Sequence, residues 1–229
     1  MWIAVAIAAA AAAGLAVGIT LSTRTRTPHT DTVQRLRARA AERPHSALVR
    51  LQLGVALKAR GDEVGAKRAW RDAVRVQPDS PAAVRAEDHL HPDEPPGNPP
   101  FIPSFSRPRT RVERLLARGV AYQAALRPIS AERAFAAAAR AAPNDPQAQV
   151  AAAVGLFDKD RPALAFSRLG PLVRRFPHAQ TVRFHLGLLL IFIREFPAAR
   201  RELALAVAEG LATPLGKRAR LLLQAASKA

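Results

Sequence analysis

The sequence predicts an all-α protein in which one N-terminal transmembrane helix precedes a series of paired amphipathic helices. Alanine supplies much of the 49% apolar fraction, whereas aromatic residues account for only 5%, and this composition favours closely packed helices over a β-sandwich. Long stretches of Ala, Leu, Arg and Glu also favour helix by intrinsic propensity. No segment shows the alternation of apolar and polar residues between turn residues that is typical of a strand.

Residues 1–23 are predicted to form a membrane anchor. From Trp2 to Leu21 the chain carries no charged side chain, and a helix of about 20 residues matches the roughly 30 Å hydrocarbon core of a bilayer. A cleaved secretory signal is the alternative, but no basic residue precedes the apolar run and no clear cleavage site follows it. Five arginines between Arg24 and Arg39 follow the span, and the positive-inside rule then places the rest of the chain in the cytoplasm. The sequence therefore predicts a single-pass membrane protein.

The stretch ALVRLQLGVALKARGDEVGAKRAWRDAVRVQP, residues 47–78, has the pattern of two amphipathic helices separated by a turn at Gly61. In the first helix, the adjacent Leu53 and Gly54 let a neighbouring helix approach closely. In the second helix, Trp70 lies between two alanines on one face and supplies the large side chain of that contact. The pattern therefore predicts a tightly packed helical hairpin.

This hairpin resembles a tetratricopeptide repeat, a 34-residue helix-turn-helix unit with alternating large and small residues and a closing proline. The same frame starts again at Val112, Pro146 and Gln180 without a shift, so the resemblance covers residues 47–80 and 111–213. It implies a right-handed superhelix of stacked helix pairs. The residues that the resemblance assigns to packing between helices are Leu53, Gly54, Trp70, Gly119, Tyr122, Phe135, Leu156, Leu186, Gly187 and Leu203.

In the tetratricopeptide family, the free face of each first helix lines a groove that binds a partner. Members that bind a terminal carboxylate have Lys and Asn there, whereas matching positions of this chain, such as Leu51 and Val120, are apolar. The expected ligand is therefore an apolar or amphipathic segment of an unknown protein, docked as a helix in the groove. The alternative for the very apolar run from Leu186 to Ile193 is burial within the stack. The groove positions implied by the resemblance are Leu48, Leu51, Val55, Leu116, Val120, Gln123, Val150, Val154, Phe157, Phe184, Leu188, Ile191 and Phe192.

A proline-rich loop at residues 92–110 separates the helices of residues 24–91 from three contiguous repeats at residues 111–213. Its seven prolines between Pro92 and Pro108 forbid a continuous helix and favour an extended polyproline II conformation. One interpretation is a semi-rigid connector between two halves of the protein. The other is a strap across the groove, with apolar contacts from Phe101, Ile102 and Phe105.

Helix starts are marked by a capping side chain followed by proline at the first helical position. Such pairs occur at Ser80-Pro81, Asp145-Pro146 and Thr213-Pro214. The last pair opens a predicted capping helix over residues 214–229, with Leu221, Leu222 and Leu223 available to the core. Gly170-Pro171 falls inside a predicted helix and is expected to kink it or divide it in two.

Catalysis and cofactor binding are not expected. The chain has no cysteine, which excludes disulfides, thiolate catalysis and zinc–cysteine sites. It also has no phosphate-binding glycine loop and no nucleophile elbow. His89 and His91, close to Asp88, are the best candidates for metal ligands, but surface clusters of this kind seldom bind a metal. No metal is therefore predicted.

The net charge of +17 lies entirely beyond residue 23. A solvated arginine face explains it without a partner, anionic lipid is the next interpretation, and nucleic acid is the least favoured because no reading motif is present. The sequence therefore predicts a membrane-anchored scaffold, without catalysis or cofactor, that mediates protein–protein interaction. The alternatives are an exported factor for envelope or cytochrome assembly, as other anchored members of the family suggest, and a basic nucleic-acid-binding helical protein.

Overall fold

The computed structural model describes residues 28–227, which form eleven α-helices and no β-strand. The all-α class predicted from the sequence is therefore confirmed for this range. In chain order the helices are α1 (Pro28–Glu42), α2 (Ala47–Lys58), α3 (Glu63–Val76), α4 (Pro81–Leu90), α5 (Arg111–Ala124), α6 (Pro128–Ala141), α7 (Pro146–Val154), α8 (Ala163–Arg175), α9 (Gln180–Phe192), α10 (Phe196–Ala208) and α11 (Pro214–Ala226).

The structure corrects one part of the predicted fold, the membrane-spanning helix. The longest helix between residues 28 and 227, α1, has 15 residues, and a helix of that length rises about 22 Å, less than the roughly 30 Å of a bilayer core. No helix in this range is both long and apolar enough to cross a membrane. The predicted anchor at residues 1–23 lies outside the described residues, and the predicted single-pass membrane localisation with a cytoplasmic soluble part is not supported by the structure.

The helices stack in the order in which they follow one another. Each of α1 to α3 packs on the next helix, and each of α5 to α10 does the same. In addition, α2 contacts α4, α5 contacts α7, α7 contacts α9 and α9 contacts α11. Contacts between alternate helices arise when helix pairs lie side by side, and they are consistent with an α-solenoid.

In three of the helix pairs, a glycine on the first helix lies against a large residue on the second. Gly54 of α2 lies against the indole of Trp70 of α3, and Gly119 of α5 lies against the ring of Phe135 of α6. A β-carbon at either glycine would overlap the aromatic ring, so each glycine allows two helices to approach closely. The same separation of sixteen residues recurs in the later pairs, as Ala153 with Leu169 and Gly187 with Leu203.

Two hydrophobic cores lie along the stack. The first surrounds Trp70 within α1 to α4, where the imidazole of His89 stacks on the indole with a centroid distance of 4.6 Å. The second extends from α5 to α11 and includes Phe101 of the proline-rich loop. The loop therefore contributes a core residue to the second group of helices.

Two predicted details near the C-terminal end differ from the structure. The sequence predicts either a kink or a division into two short helices at Pro171; α8 is continuous although Pro171 lies inside it, so the division is wrong. The N–H missing at Pro171 would have bonded the carbonyl of Ser167, and both residues are exposed, so the carbonyl that lacks its helical partner lies on the exposed side of α8. In α11, Leu222 and Leu223 pack against the second core, whereas Leu221 is 63% exposed.

Asp79, in the turn between α3 and α4, ties the first four helices to α6. Its carboxylate accepts the backbone N–H of Ser130 at 3.0 Å, together with bonds from the Ser130 hydroxyl and the Arg127 guanidinium. The start of α6 has no capping side chain of its own, so Asp79 acts as its N-cap from a distant part of the chain. Burial alone would raise the pKa of Asp79, but the bonds from Ser130 and the charge of Arg127 outweigh it and lower the pKa.

Candidate functional site

An extended segment of the proline-rich loop crosses α5, α7 and α9, the first helices of three successive pairs. We call residues 95–105 the strap; they contain no helix and no strand. Each of the three helices contributes a polar side chain that contacts the strap. These contacts match the second interpretation of the loop, a strap over the groove, and not a connector between two halves.

Gln123 of α5 holds the strap on both sides of Pro100. Its Oε1 accepts the backbone N–H of Phe101 at 2.9 Å, and its Nε2 donates to the carbonyl of Pro99 at 3.4 Å. A side-chain amide has one acceptor and one donor group, so it can pair with a peptide main chain in this way. Gln123 therefore binds the backbone of the strap without contacting a polar side chain.

Two further acceptors bind the main chain of the strap. The N–H of Ser104 donates to Gln147 Oε1 of α7 at 2.8 Å. The N–H of Ile102 donates to His185 Nε2 of α9 at 2.9 Å. The strap is thus bonded twice to α5 and once each to α7 and α9.

Apolar contacts accompany these hydrogen bonds. The ring of Phe101 is 1% exposed, contacts Phe135 edge-on at a centroid distance of 5.4 Å, and stacks on His185. Ile102 and Phe105 are partly buried against the same core. The three apolar residues named in the strap interpretation therefore all pack on the helices.

The hydrogen bonds of His185 assign its tautomer. Its Nδ1 lies 2.7 Å from the carbonyl oxygen of Thr181, so Nδ1 carries the proton and Nε2 is the acceptor. The side chain is fully buried, and burial lowers the pKa of His185 to about 4, although the bond to the Thr181 carbonyl opposes that effect. The imidazole is therefore neutral near pH 7 and able to accept the strap N–H.

An ion pair between a buried lysine and a partly exposed aspartate fixes the start of the strap. Lys159, in the loop between α7 and α8, has a side chain that is 1% exposed. Its Nζ donates to the carboxylate of Asp88 in α4 at 2.7 Å and to the carbonyl of Pro95 at 3.0 Å. The same carboxylate accepts the N–H of Gly97 at 2.7 Å. We call the pair of Asp88 and Lys159 the latch, because it joins α4, the strap and the α7–α8 loop.

Other titratable groups surround the latch. Burial, and then the charge of Asp158, raise the pKa of Glu87 to about 7, although Lys159 opposes the shift. His91, a candidate metal ligand from the sequence, lies with its Nε2 3.1 Å from the carboxylate of Asp160. Over residues 28–227, no group of three or more His, Asp or Glu side chains is arranged to hold a metal ion.

Most apolar positions implied for the groove are covered in the structure. The exceptions lie on α2, where Leu48 is 51% and Val55 is 46% exposed. On α5, α7 and α9, helix packing and the strap leave little apolar surface, so polar acceptors provide the contacts along the strap. Leu51, Leu116, Val150, Val154, Phe157, Phe184, Leu188 and Phe192 are buried, and Val120, Gln123 and Ile191 are partly buried.

The residues implied for helix packing lie inside the helix pairs to different extents. Those that meet across a pair are the most buried, and the others lie at the edge of the contact. Gly54, Trp70, Gly119, Phe135, Gly187 and Leu203 are buried, and Leu53, Tyr122, Leu156 and Leu186 are partly buried.

No local sequence pattern marks Gln147, the latch, or the hydrogen bond that His185 makes to the strap. One signal was present in the residues from Pro99 to Ser104. Three of these six residues are proline and have no N–H. The remaining three N–H groups are those that the groove accepts.

Comparison with known proteins adds no family assignment: no protein-family model matches the chain, and no curated protein matches it. The tetratricopeptide resemblance therefore rests on the repeated residue pattern itself.

Proposed function

We propose that this protein is a helical-repeat scaffold that binds an extended, partly apolar segment of another protein across α5, α7 and α9. One observation carries the proposal. Side chains from three successive first helices already hold an extended segment, and they hold it by its main chain. Main-chain hydrogen bonds supply affinity for an extended peptide, while pockets for its side chains supply specificity.

The repeat packing supports the same proposal. The matched contacts of Gly54 with Trp70, and of Gly119 with Phe135, fit stacked units of one kind. In a tetratricopeptide-like solenoid the first helices form the recognition surface, and the strap lies on first helices here. The strap therefore occupies the surface on which the repeat pattern predicts a ligand.

The chemistry of the groove also favours binding over catalysis. Gln123 and Gln147 do not ionise, and His185 is neutral with both ring nitrogens hydrogen-bonded. A catalytic base needs a free nitrogen directed at a substrate. These three side chains therefore act as positioned hydrogen-bonding groups.

The test is binding of the segment in trans. Phe101→Ala removes the aromatic anchor of the strap, and a fluorescent peptide of residues 97–108 is added to the variant. We expect saturable binding by fluorescence anisotropy, because the peptide brings the missing ring and all three N–H groups. Adding Gln147→Leu to the variant should weaken binding, since one main-chain acceptor is lost.

Circular dichroism checks that the variant folds, and a folded variant that binds no peptide at millimolar concentration contradicts the proposal. If Phe101→Ala does not fold, Ile102→Pro is the alternative. It keeps the buried ring and removes the N–H that donates to His185, together with the partly buried Ile102 side chain. The same peptide is then tested against that variant.

A second candidate function is binding of single-stranded nucleic acid by the second helices. Arg68, Arg133 and Arg201 each lie two residues before the large packing residue of their pair. They are exposed, and none of them has a hydrogen bond or ion pair in the described part of the chain. Unpaired arginines at equivalent positions of α3, α6 and α10 would contact phosphates, with affinity that falls with salt.

An electrophoretic shift of a labelled RNA oligomer tests this candidate. We expect binding at 50 mM salt that weakens roughly 20-fold near 200 mM, the dependence of three phosphate contacts to a single strand, and weaker binding by a variant in which Arg133 and Arg201 are replaced by Gln. Equal binding by that variant would count against the arginine surface.

A further inference from the structure

We infer that the strap is a displaceable self-ligand: it occupies the groove as a partner's segment would, and a partner segment with the same main-chain donors replaces it. The inference rests on the function proposed above and adds two things to it. It specifies the chemistry of the ligand, and it states that the free protein holds its own copy of that ligand.

Between Pro99 and Ser104, every backbone N–H of the strap donates to an acceptor in the groove. The prolines have no N–H, and each remaining N–H is accepted by a side chain of a different first helix. The ligand class follows from this match. It is an extended segment of the form aromatic–apolar–proline–polar, in which the first, second and fourth residues donate their N–H groups.

The first position of this pattern requires a large ring. Phe101 fills the space between Phe135 and His185, stacking on the imidazole at 5.0 Å. Displacement of the strap would open a cavity there, and the aromatic residue of an incoming segment would fill it. An aliphatic or small residue at this position would leave the stacked face of His185 uncovered.

The strap can leave without unfolding the helices that it crosses. Residues 95–105 make no backbone–backbone hydrogen bond with any helix in the described part of the chain. Their bonds go to side chains, so the hydrogen-bond ladders of α5, α7 and α9 are independent of the strap. Pro100 and Ser104 are also exposed, which leaves one side of the segment open to water and to a competitor.

Because the latch tethers the strap, an incoming segment must compete with the strap for the groove. Lys159 and Asp88 hold Pro95 and Gly97, so this first part of the strap stays in place, and residues 98–105 remain tethered beside the groove after they open. A short tether gives an effective concentration on the order of millimolar. An isolated peptide must therefore reach about that concentration, whereas a partner that also contacts another surface of the protein competes at lower concentration.

Hydrogen exchange of the wild-type protein, followed by NMR, tests the inference. We expect the amides of Phe101, Ile102 and Ser104 to exchange at least about tenfold faster than the slowest amides of α6 and α9. Their exchange should depend weakly on urea, because local opening exposes little surface. Unlabelled peptide of residues 97–108, added to isotope-labelled protein, should accelerate exchange of the three strap amides and leave the helix amides unchanged.

The matched control is the same peptide with Ile102→Pro, which lacks one donor and should accelerate exchange less. Two results overturn the inference. The first is that the strap amides exchange only through global unfolding, with the same rate and urea dependence as the amides of the core helices. The other is local opening of the strap that the peptide does not accelerate.

Failure of the inference and failure of the proposed function can be told apart. The inference is tested on the wild-type strap, whereas the proposed function is tested on a strap that has been weakened. If the peptide binds the Phe101→Ala variant while the wild-type strap opens only with global unfolding, the groove binds extended segments but the strap is a permanent part of the core. If the folded Phe101→Ala variant binds no peptide, the proposed function itself fails.

Discussion

The imidazole of His185 lies nearly parallel to the ring of Phe101, inclined by 19°, and accepts the N–H of the residue that follows that ring. One side chain thus contacts both an apolar group and a main-chain donor of the strap. This double contact explains why a histidine is buried in α9 beside Phe184 and Leu188. A leucine there would pack against the ring but would leave the N–H of Ile102 unpaired.

Replacement of His185 by Phe should lower the free energy of unfolding by about 1–3 kcal/mol, because a buried N–H loses its acceptor while the ring contact is kept. Urea denaturation measures the loss. Ile102→Pro removes the donor, so adding it to His185→Phe should cost less than its cost in the wild type. Strict additivity of the two substitutions would show that the bond contributes nothing.

The low pKa of His185 predicts a loss of stability in acid. The pKa is about 4 in the folded chain, against 6.5 for an unperturbed histidine. The stabilising contribution is therefore fully present above pH 6.5 and is lost as the pH falls through 4. The difference corresponds to about 3 kcal/mol at most. The gap in stability between the wild type and His185→Phe should narrow over this range, and a constant gap would argue against a buried neutral imidazole.

Glu87 predicts the opposite dependence. Its pKa is about 7 in the folded chain and 4.5 when unperturbed, so its contribution is present below pH 4.5 and is lost as the pH rises through 7. Glu87→Gln removes this loss, since the amide stays neutral. We expect the variant to be more stable than the wild type at pH 8, by up to about 3 kcal/mol, and to have no such advantage at pH 4.5. Thermal denaturation at the two pH values provides the comparison.

In the junction between the first four helices and α6, substitution of Asp79 should lower the free energy of unfolding more than substitution of any other residue. Asp79→Ala leaves the start of α6 uncapped and should cost about 1–2 kcal/mol. Asp79→Asn keeps an oxygen that can accept the N–H of Ser130, so it should cost less. Urea denaturation of the two variants gives the order, and equal stability of both with the wild type would mean that the junction does not depend on this cap.

The sequence predicted the helical class and the helix starts better than it predicted the site. Local signals such as Ser80-Pro81 act within one turn of a helix, so the residues alone indicate them. The strap depends on contacts across 83 residues, from Ile102 to His185, and no local pattern encodes such a pairing. The latch is equally distant in sequence, because Asp88 and Lys159 are 71 residues apart. The implied apolar groove is mostly covered on α5, α7 and α9, because the helices pack on it and because the strap, which lies outside the repeats, crosses it.

The glycine contacts give a direct test of whether the helix pairs are equivalent. Gly119→Ala places a methyl group against the rigid ring of Phe135, and overpacking of this kind costs about 1–3 kcal/mol. Gly187→Ala places the same group against Leu203, whose side chain can change rotamer. The third pair already combines Ala153 with a buried leucine, so the alanine–leucine combination is compatible with this packing. We therefore expect Gly187→Ala to cost clearly less than Gly119→Ala in urea denaturation. The reverse order would mean that the pairs are packed in different ways and only share a spacing.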